Sequence, residues 1–161
     1  MSLFNVSLLC ASLFMTHSTF AAQYFPSSVA EGVNAVGARK VSFQNGTVNM
    51  AANLYLPPDF DSTKKYPAIV VSHPWGGVKE QTSGFYAQQL AKRGFITLAY
   101  DASHYGESGG LPRNLENPAE RVGDIRSAVG YLSSLPQVDA GRIGTLGHLR
   151  RRGLYTARSA E

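Results

Sequence analysis

Cysteine is all but absent from this chain of 161 residues: Cys10 is the only one, and it lies in an apolar run near the N-terminus. A disulfide framework and a thiolate zinc site are both excluded. Charge is scarce too, at 16% Asp, Glu, Lys and Arg combined with a formal net charge of +4. Four of the fifteen basic residues (Arg150, Arg151, Arg152 and Arg158) crowd the last twelve positions. No basic face is therefore spread over a folded element, as phosphate recognition requires, and nucleic acid is not an expected partner. The histidines at 17, 73, 104 and 148 are scattered, and no His, Cys or carboxylate spacing matches a metal site, so no metal and no cofactor is expected. Gly76-Gly77 lacks the Lys-Ser/Thr pair of a phosphate-binding loop. The apolar run Leu3 to Met15 is too short to span a membrane.

That run has another reading. Small residues follow it at Ala21-Ala22, as at a secretory cleavage site, although no Lys or Arg precedes it. Residues 1–22 are expected to be a signal peptide, with a secreted or periplasmic product and residues 23–39 as an N-terminal extension. Cys10 follows Leu9 rather than a small residue and belongs to the apolar segment, not to a lipid attachment point. Asn5-Val6-Ser7 and Asn45-Gly46-Thr47 match the glycosylation triplet by pattern; the first would leave with the signal and the second reads as a hairpin turn.

What is present is core-forming material. With 43% hydrophobic and 11% aromatic residues, one globular domain is expected. Lys40 to Gln44 and Val48 to Leu56 alternate apolar and polar around Asn45-Gly46, which predicts an antiparallel hairpin. Pro57-Pro58 ends it. Pro67 to Ser72 is a continuous apolar run with β-branched residues, as in a strand buried on both faces of a parallel sheet, and Phe95 to Tyr100 is expected to make another buried strand. Between them a helix is expected from Gln81 to Arg93, with Phe85, Ala87, Leu90 and Ala91 inward and Gly94 as a left-handed cap. A second helix opens with Asn117 as cap, Pro118 in its first position and Glu120 completing a capping box, with Val122, Ile125, Val129 and Leu132 on one side. A strand from Arg142 to Leu146 completes a β-β-β-α-β-α-β order, which argues for an α/β fold: a hairpin followed by a parallel, doubly wound sheet.

Three stretches, in this order and spacing, carry a family resemblance: Val71-Ser72-His73-Pro74-Trp75-Gly76-Gly77, then Asp101 with Gly106 and Ser108-Gly109-Gly110, then Val138-Asp139 with Arg142-Ile143-Gly144. Residues 40–147 resemble the N-terminal half of an α/β-hydrolase, close to the dienelactone hydrolase and Xaa-Pro dipeptidyl-peptidase-like group. The resemblance implies a truncated α/β-hydrolase fold and a serine- or cysteine-type hydrolase acting on a small-molecule ester, lactone or amide through an acyl-enzyme. It also implies that His73, Pro74, Gly76 and Gly77 form an active-site loop whose backbone approaches the substrate oxygen. Pro74 has no N–H, so Trp75 is the candidate oxyanion donor. The alternative is that His73-Pro74 simply ends a strand, with His73 bonded to backbone. The resemblance places the catalytic His after the last strand of the family's fold, so His73 is not the base.

Gly106-Glu107-Ser108-Gly109-Gly110 satisfies G-x-S-x-G literally, but a nucleophile elbow needs a strand directly before it and a helix directly after. The strand ends at Asp101 and no helix opens until Asn117, so Ser108 is expected to be a loop residue, and Asp101 and His104 to be its hydrogen-bonded neighbours. The elbow belongs at Gly147-His148-Leu149-Arg150-Arg151, where Leu149 occupies the nucleophile position and cannot attack a carbonyl. In a G/C-rich gene, one inserted G converts codons for Gly-Ile-Cys-Ala-Gly-Gly-Ala-Tyr into codons for Gly-His-Leu-Arg-Arg-Arg-Gly-Leu, the residues at 147–154. Residues 148–161 are accordingly expected to be an out-of-frame basic tail on an inactive chain; a Cys or Ser would stand at 149 in frame. The competing expectation is a non-catalytic scaffold or interaction protein with a genuine basic arm.

Overall fold

The computed structural model describes residues 37–147. The signal-like run, most of the N-terminal extension and the segment from His148 onward, with Leu149, lie outside the described residues. Five strands form one mixed sheet in the order β1-β2-β4-β3-β5. They are β1 (Ala38–Asn45), β2 (Val48–Tyr55), β3 (Tyr66–Ser72), β4 (Ile96–Tyr100) and β5 (Val138–Gly147), with α1 (Thr82–Ala91) between β3 and β4 and α2 (Pro118–Ser134) between β4 and β5. The hairpin joins the parallel part through an antiparallel β2–β4 pairing, Ala52 opposite Tyr100 through Tyr55 opposite Thr97. β3 runs parallel to both β4 and β5. The expected order of elements is the observed one.

The hairpin turn sits one residue later than expected. Asn45 pairs with Val48, so Gly46 and Thr47 are the central residues, and only Gly46 takes a positive φ, +58°. Glycine in the first central position is what a two-residue type II′ turn demands. Asn45 thereby stays in the strand, where its Nδ2 donates to Asp124 Oδ1 at 2.8 Å and its Oδ1 accepts from Ser127 Oγ at 3.0 Å. The amide of the glycosylation-type triplet is thus committed to α2.

Alternation along β3 divides the core. Ala68 and Val70 pack with Leu54, Ile96, Leu98, Ala128 and Leu132 on the α2 side, and Ile69 and Val71 pack with Tyr55, Ala99, Ala87 and Ala91 on the α1 side. One helix covers each face of the sheet. β4 is buried along its whole length, and Thr97 within it donates its hydroxyl to Ala87 O at 2.8 Å.

Both helices correct the expected inner faces. α1 turns Ser83, Gly84, Ala87 and Ala91 inward, while Phe85 is 59% exposed. Gly84 is held against the preceding loop, where a Cβ would stand 2.5 Å from the Lys79 carbonyl oxygen, and Leu90 packs against the core on this side as expected. Gly94, at φ +94°, donates to Ala91 O and ends the helix as the sequence indicated. In α2 the buried row is Asp124, Ala128 and Leu132; Ile125 and Val129 flank it and Val122 is largely exposed. Asn117 caps through Oδ1, which accepts from Ala119 N–H at 3.0 Å. Glu120 meets the Asn117 side chain (Nδ2 to Oε1, 3.2 Å), and its other oxygen faces His104.

β5 begins earlier than expected, at Val138 opposite Tyr66, and after an irregularity runs in register from Ala68 opposite Ile143 to Ser72 opposite Gly147. Ser72 is also opposite Tyr100. The carboxyl ends of β4, β3 and β5 therefore stand level. From β3 the chain leaves toward β4 by one face, and from β4 it returns to the far side of β3 by the other. The connections leaving the neighbouring strands β3 and β4 thus diverge to opposite faces, which makes the carboxyl end of this pair a topological switch point, where open α/β sheets place their ligands.

Candidate active site

Residues 73–79, leaving β3, meet residues 101–117, leaving β4, at this switch-point end of the sheet. His73 is 3% exposed. Its Nε2 accepts the Ala102 N–H at 3.0 Å, which puts the ring proton on Nδ1, and Nδ1 donates to Pro74 O at 2.8 Å. Burial pushes the His73 pKa down, aided by the Arg121 charge. A neutral ring with both nitrogens engaged is not placed to act as a base.

Pro74 O accepts a second bond, from Gly77 N at 2.9 Å, and Gly76 has φ +73°. This is a type II turn with Trp75 and Gly76 at its centre, and the third position is the one that requires glycine. The Pro74–Trp75 peptide is planar and trans, so its N–H points opposite to its carbonyl. With Pro74 O held by His73 and Gly77, the Trp75 N–H is aimed away from them, and no described residue accepts it. The Trp75 indole is 75% exposed. His73 bonds to backbone through both ring nitrogens, as the strand-terminator alternative expected, and its bond to Pro74 O orients the next peptide.

Arg121 supports the loop from α2. Its Nη1 donates to His73 O at 3.3 Å, its Nε and Nη2 fork Glu116 at 3.0 and 2.9 Å, and its guanidinium lies 5.2 Å from the centre of the Tyr105 ring. Burial opposes ionisation of Glu116, but the Arg121 fork outweighs it and holds the carboxyl below the usual range. Tyr105 also packs edge-on against His73, with centroids 5.7 Å apart.

Asp101, fully buried at the end of β4, accepts Lys79 N–H on Oδ1 at 2.8 Å and both Lys79 Nζ (2.7 Å) and Glu107 N–H (2.9 Å) on Oδ2. Lys79 Nζ also meets Glu107 at 2.7 Å and Glu80 at 2.9 Å. Burial works against the ammonium, yet the three carboxylates prevail and hold its pKa above the ordinary value. Glu107, bonded by Lys79 and Lys40, is pulled down to about 2.

Ser108 is 2% exposed, and its hydroxyl is fully used: it donates to Asp101 O at 2.6 Å and accepts Ala51 N–H at 2.9 Å. The literal G-x-S-x-G pattern has a structural cause. A Cβ on Gly106 would lie 2.2 Å from Asp101 Oδ2, and one on Gly110 would lie 2.8 Å from His104 Nδ1. His104 faces Pro112 O at 2.9 Å and Glu120 Oε2 at 2.6 Å, so Asp101, His104 and Ser108 do not converge on a common point. Lys79, Arg121 and Glu116 escaped the sequence reading, and no local pattern marks them, because each finds its partner only in the folded chain.

The described residues stop at Gly147, two short of position 149, where the sequence leads one to expect the nucleophile, with Gly147 beside Ser72 at the root of the His73–Gly77 loop. Residues 45–148 match the family described as X-Pro dipeptidyl-peptidase (S15 family). The uncharacterized protein YcjY of Escherichia coli K12 is 55% identical over 124 residues, which is 75% of this chain and 40% of that protein. The solved structure of the hypothetical protein PA2218 of Pseudomonas aeruginosa superposes with a TM-score of 0.65 at 49% identity, over 70% of this chain and 35% of that one. A dienelactone hydrolase-like promiscuous phosphotriesterase, P91, shares the fold at 22% identity and a TM-score of 0.53, over 71% of this chain and 49% of that one. The chain thus spans less than half the length of these relatives, and what it matches is part of an α/β-hydrolase fold. The chain belongs to the X-Pro dipeptidyl-peptidase (S15) family of hydrolases.

Proposed function

We propose that residues 40–147 carry the oxyanion-binding half of a hydrolase site for a small-molecule ester, lactone or amide, and that this chain does not complete the reaction because Leu149 stands at the nucleophile position. The observation that carries the reading is the Pro74–Trp75 peptide, whose carbonyl is held at 2.8 and 2.9 Å and whose N–H has no acceptor among the described residues. A fixed donor at a switch point is what a tetrahedral oxyanion needs, because its orientation is settled before charge develops. A hydroxyl or thiol at position 149, activated by a base from a later segment, would attack the carbonyl carbon. The carbonyl oxygen would take up the charge against Trp75 N–H, and collapse would expel the alcohol or amine and leave an acyl-enzyme for water to cleave. A leucine has no lone pair for the first step.

The test is turnover of an activated ester such as p-nitrophenyl acetate, by this chain and by the product of the gene with its frame restored after Gly147. The expected result is no turnover above buffer for the first and an acyl-enzyme burst for the second. Turnover by the present chain, or the lack of a Gly-x-Cys/Ser-x-Gly elbow in every frame downstream of codon 140, would overturn the reading and leave the scaffold with a basic arm in its place. Export belongs to the same proposal: a product lacking residues 1–22 in the periplasm or medium supports it, and an uncleaved cytosolic chain refutes it.

A further inference from the structure

The Lys79 side chain is 1% exposed and that of Asp101 is 0%. Desolvating two such charges is costly, and a buried ion pair is a weak source of net stability: apolar residues of similar volume often serve as well or better. What the pair does supply is position. One residue, Lys79, reaches both oxygens of one carboxylate, its backbone N–H on Oδ1 and its ammonium on Oδ2, at 2.8 and 2.7 Å. That fixes the exit of the 73–79 loop against the end of β4. The entrance is fixed against the adjoining residue, where Ala102 N–H donates to His73 Nε2 at 3.0 Å. The loop bearing Trp75 therefore hangs at both ends from the dipeptide 101–102, and Glu107 and Glu80 close the shell around the ammonium.

We propose that Asp101 and Lys79 are positioning residues of the oxyanion loop, fixing the direction of the Trp75 N–H before any substrate is present. The inference rests on the reading of Trp75 as the oxyanion donor. The turn has its own closing bond, Gly77 N–H to Pro74 O at 2.9 Å, so a purely structural role for the pair is a real competitor. Under that alternative the turn keeps its order without the pair.

Trp75 is the only tryptophan in the chain, so labelling with 15N-tryptophan yields a single backbone amide signal from the atom in question. In the parent chain its order parameter is expected near ~0.85, as for rigid backbone. The neutral double variant Lys79→Met with Asp101→Asn avoids stranding one buried charge, and is expected to lower the value below about 0.6. Val138→Ala, a core truncation opposite Tyr66 at the other end of β3, is the control and is expected to leave the signal unchanged. A second variant, Glu107→Gln, weakens the grip on Lys79 from a half-exposed position and guards against loss of the fold; an intermediate order parameter is expected. An unchanged Trp75 amide in a folded double variant, or in Glu107→Gln if the double variant does not fold, overturns the proposal, as does equal loosening by Val138→Ala. None of these readings involves ester turnover, so failure here is distinct from failure of the hydrolase assignment.

Discussion

Replacing Gly106 by alanine tests how tightly the end of β4 is built. Gly106 sits at φ +50°, where an L side chain costs about 1–2 kcal/mol. The added Cβ would lie 2.2 Å from Asp101 Oδ2, 2.3 Å from its Cγ and 2.6 Å from Oδ1, so the carboxylate itself must move. It is fully buried and receives three N–H donors, from Lys79 N, Lys79 Nζ and Glu107 N. Displacing it breaks a buried charge pair, which costs about 3–5 kcal/mol when the partner remains. The expected loss is therefore about 4–7 kcal/mol, a large fraction of the roughly 5–15 kcal/mol that holds a domain together. Gly109→Ala is the matched comparison three positions on. Its Cβ would meet Val48 Cγ1 at 3.5 Å and Asn49 backbone at 3.6 Å, ordinary contacts, and a change within about 1 kcal/mol is expected. Urea unfolding followed by circular dichroism, with the midpoints compared at constant m, measures both. A Gly106→Ala midpoint close to the parent's, or equal damage from the two substitutions, refutes the reasoning.

Further expectations concern the same end of the sheet and the core behind it. His73 has a folded-state pKa depressed by burial below its ordinary 6.5, so above 6.5 its contribution is complete. As pH falls below 6.5 the unfolded chain binds the proton first, and stability drops with a slope approaching about 1.4 kcal/mol per pH unit until the folded value is passed. His73→Gln should remove that component of the slope between pH 6.5 and 5; identical slopes in parent and variant would sink it. Ser108→Ala leaves Ala51 N–H buried without its acceptor and should cost about 1–3 kcal/mol, while a fluorophosphonate serine probe should label neither protein, and labelling of Ser108 would contradict its assignment as a bridge. Leu132→Ala, at a fully buried position under the sheet, should cost about 2–5 kcal/mol by chemical denaturation, and a loss under 1 kcal/mol would mean that α2 is not packed as described.

The fold was legible wherever one residue's neighbours in sequence decide its conformation. Alternation gave the hairpin, mainly apolar runs gave β3 and β4, and Asn117-Pro118 gave the start of α2. Legibility failed where distant groups decide. Phe85 and Val122 fit helical apolar stripes, yet both are exposed; from α1 it is Ser83, Gly84, Ala87 and Ala91 that are buried, with Leu90 packed beside them. In α2 the stripe rotates because Asp124 turns inward, toward Ser103 N–H and Oγ and Asn45 Nδ2, three donors that no helical period reveals. Lys79 is the extreme case. In sequence it is a cation beside Glu80 in a loop, with no local mark of burial; in the fold it is buried, and Asp101, twenty-two residues on, meets its ammonium.

The candidate site divides along the same line. Rejecting Ser108 needed only the distance from strand to helix along the chain, and its buried, doubly bonded hydroxyl agrees. Singling out Trp75 needed the family resemblance, which implies an active-site loop at 73–77, and then the missing N–H of Pro74. The direction of the Trp75 N–H was beyond the sequence, since it depends on which oxygen His73 Nδ1 meets, and that in turn depends on Ala102 N–H occupying Nε2. The proposed donor is a backbone amide, and such an atom is written in sequence only as permission to turn; its aim is set by the groups that hold the neighbouring carbonyl, here His73 Nδ1 and Gly77 N–H.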